Sequence, residues 1–359
     1  MKKIVILANH YVVIYNFRKE LVEDLVKKGY EVVVALPRVA EAEKIEQLGC
    51  RIVDIPVSRR STNPITDFKL FLAYQRLLKK EKPDWVFTYT IKPNIYGGFA
   101  CRLQKTPYLV NITGLGSAME GEGTLQKVTS FLYRVAMRNA ECIFFQNEMN
   151  REIFKVRNIH GKTECLLPGS GVNLEHFQYM EMPQDDIINF VYISRVMKEK
   201  GIEEYLSVAE RVKGKYPNTQ FHILGFCEEH YEERLRELQD RNIIIYHGMQ
   251  QDVKAYLKDM HCLIHPSFYP EGMSNVCLEA AACGRAVITT KRPGCKETVW
   301  DGVTGFLVEE QSVEQLEEAV EKFLHLSRNE KEKMGENART KMEKEFDRKK
   351  VVEEYTSRI

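Results

Sequence analysis

Short apolar runs alternate along the chain with segments whose apolar residues recur every three or four positions. Ile4–Ala8, Glu31–Leu36, Arg51–Ile55, Trp85–Thr88, Tyr108–Ile112 and Cys142–Phe145 read as strands. Between them, Asn16–Lys28, Glu41–Leu48, Asp67–Lys80, Asn94–Arg102 and Leu125–Asn139 have helical spacing, the first two closed by Gly29 and Gly49. A second series starts near Asn189, with strands Phe190–Ser194, Gln220–Leu224, Ile243–Tyr246, Cys262–His265 and Ala286–Thr290. Helices Ile202–Lys213, Glu229–Asp240, Val253–Lys258 and Asn275–Cys283 separate these strands. Strands apolar on both faces call for a parallel sheet covered by helices on each side. The pattern therefore predicts an α/β protein of two Rossmann-like, doubly wound parallel-sheet domains facing across a cleft. The Pro/Gly-rich segment Leu167-Pro-Gly-Ser-Gly-Val172 marks the hinge. The expected divisions are a first domain over 1–167, a second over 168–340, and a terminal helix over 341–359 that crosses back to the first domain.

Length agrees with this, since 359 residues exceed one ordinary core and fit two. The net charge of +1 gives no global reason to expect nucleic acid, but the charge is uneven. Residues 1–170 hold 26 Lys and Arg against 17 Asp and Glu, a net +9, and the remainder carries −8. A basic first half implies something anionic beside it, such as a membrane surface, a phospholipid-like acceptor or the other domain. Helix 67–82 sets Phe68, Phe71, Leu72 and Leu78 beside Lys69, Arg76, Lys79, Lys80 and Lys82, which suits either an anionic interface or a core-packed helix. The nine cysteines form no Cys-x-x-Cys pair, which is the usage of reduced thiols in a cytosolic protein. Met1–Leu7 is too short and abruptly polar for a signal peptide, and no run approaches a membrane span of about 18 apolar residues. A cytoplasmic protein is expected, lying on a membrane if it works at one.

Candidate chemistry concentrates in Glu271-Gly-Met-Ser-Asn-Val-Cys-Leu-Glu279, a loop that runs into a small-residue helix. Apolar strand, glycine-containing loop and helix start make a site for a phosphorylated ligand, because the first helical turn offers unpaired N–H groups and a positive dipole end. Glu271 and Glu279 repel phosphate but accept from vicinal hydroxyls, so a sugar at one end and a ribose at the other fit. Equally, Glu271 caps a turn and Glu279 is solvated. Arg195 and Lys200 flank the turn Ser194–Gly201 and suit a diphosphate, unless the turn is simply a solvated basic one. His10 follows the first strand, as a cleft residue or a helix cap. His265-Pro-Ser shapes the loop ahead of Glu271, and His247 ends a strand where a nucleobase could lie. Asn111-Ile-Thr-Gly-Leu-Gly116 permits close backbone approach, and the polar segment Ser117–Thr124 is an expected acceptor loop. Thr88–Gly97, which includes Lys92, mixes aromatics and amides in a sugar-friendly surface or an ordinary helix start. No His/Asp/Glu cluster has metal-ligand spacing and no Asp-x-Asp motif occurs.

The order Ser194-Arg195…Lys200-Gly201, Gly225, His265-Pro-Ser267, Glu271-x7-Glu279 and Gly302-x2-Gly305 resembles the family 4 retaining glycosyltransferases of GT-B fold. Thr88–Gly97 and Asn111–Gly116 further resemble the bacterial branch that extends undecaprenyl-diphosphate sugars for glycans and capsules. The resemblance implies a UDP-sugar donor and no metal, with Arg195 and Lys200 neutralising the diphosphate. Glu271 would hold donor-sugar hydroxyls, the amides of Gly272, Met273, Ser274 and Asn275 would cradle sugar and phosphate, and Glu279 would bind ribose. Gly225 and His247 complete the implied donor set. His10, Asn16, Lys92, Thr113 and Gly114 are the acceptor-side candidates. Thr113 stands where many members carry a histidine, and His10–Asn16 replaces their glycine-rich first loop. The implied partners are a nucleotide sugar, a polyprenyl-diphosphate saccharide and an anionic membrane at the inner face of the plasma membrane, with no nucleic acid. A sugar-nucleotide epimerase and a non-catalytic nucleotide-sugar-binding protein are the alternatives.

Overall fold

The computed structural model describes residues 1–57, 63–116, 119, 123–184 and 186–359. Its contacts divide the chain into two units. Met1–Gly171, Pro270–Met273 and Arg348–Ile359 form unit 1; Val172–Tyr269 and Ser274–Asp347 form unit 2.

In unit 1 the valine- and isoleucine-rich runs become β1 (Lys3–Leu7), β2 (Glu31–Leu36), β3 (Arg51–Asp54), β4 (Trp85–Tyr89), β5 (Tyr108–Ile112), β6 (Cys142–Phe145) and β7 (Glu164–Leu166). They pair in parallel in the order β3-β2-β1-β4-β5-β6-β7. Residues of both faces of β1, β2 and β4 are buried, as a doubly covered sheet requires. The helices are α1 (Tyr11–Tyr15), α2 (Lys19–Lys27), α3 (Glu43–Glu46), α4 (Pro64–Glu81), α5 (Gly98–Gln104), α6 (Thr124–Met137) and α7 (Glu148–Val156). A π-helical turn, Pro93–Gly97, leads into α5.

Three differences from the pattern have local causes. The segment 16–28 is not one helix: the chain breaks at Phe17–Arg18, where the Arg18 guanidinium turns inward. There it donates to the Phe17 carbonyl at 2.6 Å and lies 5.2 Å from the Tyr89 ring and 5.7 Å from the Tyr355 ring. Helix α4 starts earlier than expected, with Asn63 as its side-chain cap and Pro64 in its first turn. On α4, Leu78 is buried and Phe71 packs half-buried against the core, so the outward apolar residues are Ile65 and Phe68. Most of the expected acceptor loop 117–124 lies outside the described residues.

Unit 2 has β8 (Ile188–Ile193), β9 (Thr219–Leu224), β10 (Ile244–Tyr246), β11 (Cys262–His265), β12 (Ala286–Thr290) and β13 (Gly305–Val308), parallel in the order β10-β9-β8-β11-β12-β13. Its helices are α8 (Ile202–Lys215), α9 (Glu232–Asp240), α10 (Val253–Leu257), α11 (Asn275–Ala282), α12 (Val313–His325) and α13 (Arg328–Glu345). Helix α13 carries a Ser327/Glu330 capping box.

The last helix, α14 (Arg348–Thr356), belongs to unit 1. Arg348 binds the Glu20 carboxylate at 2.9 and 3.0 Å and the carbonyls of Gly171 and Asn16 at 3.1 Å. Further along, the Tyr355 ring packs among Phe87, Tyr89 and Phe144, and its hydroxyl donates to Asn111 Oδ1. Truncating such a ring leaves an aromatic-sized void, which costs about 3–5 kcal/mol. Tyr355→Ala should therefore lower the unfolding free energy of unit 1 by that amount, seen as a lower urea midpoint, while leaving the unit 2 transition in place. An unchanged midpoint would mean that α14 is an appended tail.

Candidate functional site

Main-chain crowding at the carboxyl ends of the strands shapes the candidate residues of unit 2. After β8 the chain makes the turn Ser194–Lys200, and Gly201 (φ +76) starts α8. A Cβ on Gly201 would stand 2.2 Å from the Pro266 carbonyl oxygen, so the turn lies directly on the end of β11. Gly225 ends β9 in the same way: its Cβ would meet the Ser194 carbonyl oxygen at 1.7 Å, and its N–H donates to Gly248 O at 2.8 Å. The turn is tied further by Phe268 N–H donating to Glu199 O at 2.9 Å.

The two cations of this turn share one aromatic face. Arg195 Cζ lies 5.4 Å and Lys200 Nζ 4.7 Å from the centre of the Tyr269 ring. Arg195 is half-exposed and reaches Glu228 at 3.7 Å, whereas Lys200 is only 8% exposed. The basic turn is therefore not simply solvated. Burial pushes the Lys200 ammonium down to about 8, and the Arg195 charge acts in the same direction. Burial, helped by the Lys200 charge, likewise pushes His265 down to about 3. His265 is 1% exposed and stays a neutral wall of the turn, its carbonyl accepting from Thr289 Oγ1 at 2.7 Å.

Helix α11 begins beside Ser274, whose N–H donates to Gly294 O at 2.7 Å and whose side chain makes no capping bond. Its first turn holds no acidic residue, so its N–H groups face no capping carboxylate of their own. Asn275 Oδ1 is buried without a hydrogen-bond partner. Glu279 lies half-buried one turn further along. His247 ends β10 and stacks parallel to His222 with a ring nitrogen pair at 2.9 Å, and Tyr256 meets it edge-on. Burial lowers the titration of both imidazoles, His222 to about 4.

Glu271, Gly272 and Met273 belong to unit 1, although in sequence they lie between β11 and α11 of unit 2. The Gly272 position is packed by Thr113 O and Gln146 Oε1, which a Cβ would meet at 2.7 and 2.2 Å. Gly114 (φ +140) lies against Gly272 N, and the space beside Gly169 (φ +64) is taken by the Met273 side chain. Asn147 Nδ2 donates to the carbonyls of Glu271 and Gly272 at 3.1 and 2.7 Å. Thr113 and Gly114 are thus brought to the Glu271 loop.

Other acceptor-side candidates have structural duties. His10 caps α1, with Nδ1 accepting from Val12 N–H at 3.3 Å, so the replaced first loop is a short helix. Asn16 is the exposed C-cap of α1, and its carbonyl accepts from Arg348. Lys92 forms an ion pair with Asp67 at 2.6 Å, which engages its charge. Sequence reasoning missed Tyr269, Gln146 and Asn147. Tyr269 is adjacent to the Pro270–Glu271 signal and could have been read from it. Thr90, at the end of β4, holds φ +72, a strained conformation for a β-branched residue, and its buried Oγ1 has no partner. Among the described residues no group of three or more His, Cys, Asp or Glu is placed to hold a metal ion.

Two parallel Rossmann-like sheets with basic, glycine-bounded strand ends define the class, and comparison with known proteins agrees. Residues 3–147 match the family Glycosyl transferase 4-like, and residues 180–341 match Glycosyl transferases group 1. The chain belongs to these glycosyltransferase families and is a glycosyltransferase of GT-B fold. It is 26% identical over 328 residues to an N,N'-diacetylbacillosaminyl-diphospho-undecaprenol alpha-1,3-N-acetylgalactosaminyltransferase of Campylobacter jejuni, covering 87% of this chain and 86% of that protein. Over 356 residues it is also 26% identical to the capsular polysaccharide biosynthesis glycosyltransferase CapM of Staphylococcus aureus, covering 94% and 91%. Among solved structures, Anabaena HepE in complex with UDP and glucose superposes with a TM-score of 0.81 over 99% of both chains at 16% identity, a likeness of fold.

Proposed function

We propose that this glycosyltransferase moves a hexose or N-acetylhexosamine from a UDP-sugar, with retained configuration, to a polyprenyl-diphosphate-linked saccharide in bacterial surface-glycan synthesis. The observation that carries the donor half is the pair Arg195 and Lys200 on the Tyr269 face, one a half-exposed guanidinium and one a buried, tunable ammonium. The acceptor half is supported by relatives named for diphospho-undecaprenol saccharides.

In this reading Arg195, Lys200 and the start of α11 neutralise the charge that grows on the leaving diphosphate, so no metal is required. The acceptor hydroxyl attacks the anomeric carbon on the face the diphosphate leaves. The bond from that carbon to the phosphate oxygen breaks, and the acceptor proton passes to a phosphate oxygen of UDP. Glu271 accepts from donor-sugar hydroxyls, and the amides of Gly272 to Asn275 hold sugar and phosphate. Glu279 accepts from the ribose, and Gly225 and His247 border the nucleobase. Thr113 and Gly114 border the acceptor.

The lipid-linked acceptor calls for a membrane surface, and unit 1 has features that suit one. Among the described residues no helix is long and apolar enough to cross a membrane. Helices α4 and α6 each lead with exposed apolar residues, Ile65 and Phe68 on one, Leu125, Val128 and Phe131 on the other. Lys69, Arg76, Lys79 and Lys80 follow on α4, and Arg134 on α6. Apolar residues inserted among headgroups with cations behind them describe a peripheral enzyme on the inner face of the plasma membrane.

Two outcomes are expected. The Lys200 ammonium is charged below about 8 and neutral above it, so UDP affinity should fall as pH rises, approaching tenfold per unit beyond that point. Calorimetry between pH 7 and 9 checks this: Lys200→Met should bind weakly with no slope, and Arg195→Ala should bind about a hundredfold more weakly at every pH. A slope that persists in Lys200→Met would remove Lys200 from the diphosphate site. The protein should also co-sediment with anionic vesicles at low salt and release at high salt, since each basic residue near the surface contributes about 1 kcal/mol. Neutralising Lys79, Lys80 and Lys82 should reduce that binding and spare UDP affinity. Absence of vesicle binding with full activity on a water-soluble acceptor would argue against the membrane reading.

A further inference from the structure

Asn147 does two jobs with one amide. Its Oδ1 accepts from the Asn150 N–H at 2.8 Å, which caps α7. Its Nδ2 spends both protons on the main chain of the Glu271 loop, at 3.1 Å to Glu271 O and 2.7 Å to Gly272 O. A helix cap alone needs only an acceptor, and Asp or Ser serves as well as Asn. Of the good capping residues, only Asn adds two donors on the same planar group.

The surrounding contacts show a built seat. Gln146 Oε1 and Thr113 O fill the space where Gly272 lacks a side chain, Gly114 lies beneath Gly272 N, and Gly169 gives way to Met273. The ends of β5 and β6 and the turn after β7 therefore grip residues 271–273 by main chain, and Asn147 supplies the directional bonds. Asn147 and Gln146 are both almost completely buried. Main-chain hydrogen bonds to the residue that carries a carboxylate fix where that carboxylate can point.

We propose that Asn147 is a positioning residue for sugar transfer, holding the Glu271–Gly272 main chain so that the Glu271 carboxylate meets the donor sugar. This rests on the assignment of Glu271 to the donor sugar.

Asn147→Asp and Asn147→Ser keep the cap and remove the donors. Both should stay folded with α7 intact and bind UDP within about twofold of the parent, while kcat falls at least about tenfold, as small misplacements of catalytic groups do. Hydrogen exchange should rise in a peptide covering 268–275 and stay unchanged in α7. Unchanged kcat in both variants would overturn the proposal. So would a lower melting temperature with faster exchange throughout α7, the signature of a cap alone. Should either variant fail to fold, Gly272→Ala crowds the seat from the loop side and should lower kcat without touching the cap. Glu271→Gln separates the two readings. If it keeps full transfer, the Glu271 assignment falls and this proposal with it. If it is inactive while both Asn147 variants are fully active, only the seat is wrong.

Discussion

Contact of main chain with main chain at the carboxyl ends of the strands is the constraint on which the site depends. A Cβ cannot be placed on Gly201, Gly225 or Gly272 without entering a neighbouring backbone carbonyl. Each of these glycines closes a turn against the next strand end. Tight turns at the carboxyl ends of parallel strands are where phosphorylated ligands approach in folds of this kind. They also bring Arg195 and Lys200 onto one tyrosine ring, although five positions separate them in sequence.

The two cations of that ring are not equivalent. The guanidinium is half-exposed and reaches Glu228, while burial brings the Lys200 ammonium within reach of titration. In the proposed function a diphosphate beside Lys200 would favour its charged form, which would couple ligand to proton. His265, kept neutral by burial and by Lys200 itself, adds no competing charge. In unit 1 a neutral amide does the holding: Asn147 donates to the carbonyls of Glu271 and Gly272.

Much of this was legible in the chain. Strand positions followed from apolar runs, and Gly201, Gly225 and Gly272 stood at strand ends beside charged residues. Arg195, Lys200 and Glu271 stood out by charge and position at those strand ends, and the resemblance implied donor-side roles for them. What could not be read depends on distance in sequence or on packing. Asn147 meets its partners 124 and 125 residues away, and nothing near it signals that. The break at Phe17–Arg18 arises because Tyr89 and Tyr355, far apart in sequence, receive the Arg18 guanidinium. Helix α4 showed its composition but not its orientation: Leu78 faces the core and Phe68 faces out. Lys92 stood among the acceptor-side candidates, and its ion pair with Asp67 of α4 at 2.6 Å left no mark in the local sequence.

The central claim is transfer from a UDP-sugar to a lipid-linked saccharide with protein charges supporting the leaving diphosphate. A panel of radiolabelled UDP-sugars, offered with extracted polyprenyl-diphosphate saccharides in excess chelator, tests it most directly. The account predicts that one donor labels the lipid fraction, that UDP is released in equal amount only when acceptor is present, and that chelator leaves the rate unchanged. UDP-sugar turnover without acceptor, or activity lost to chelator and restored by manganese, would contradict it.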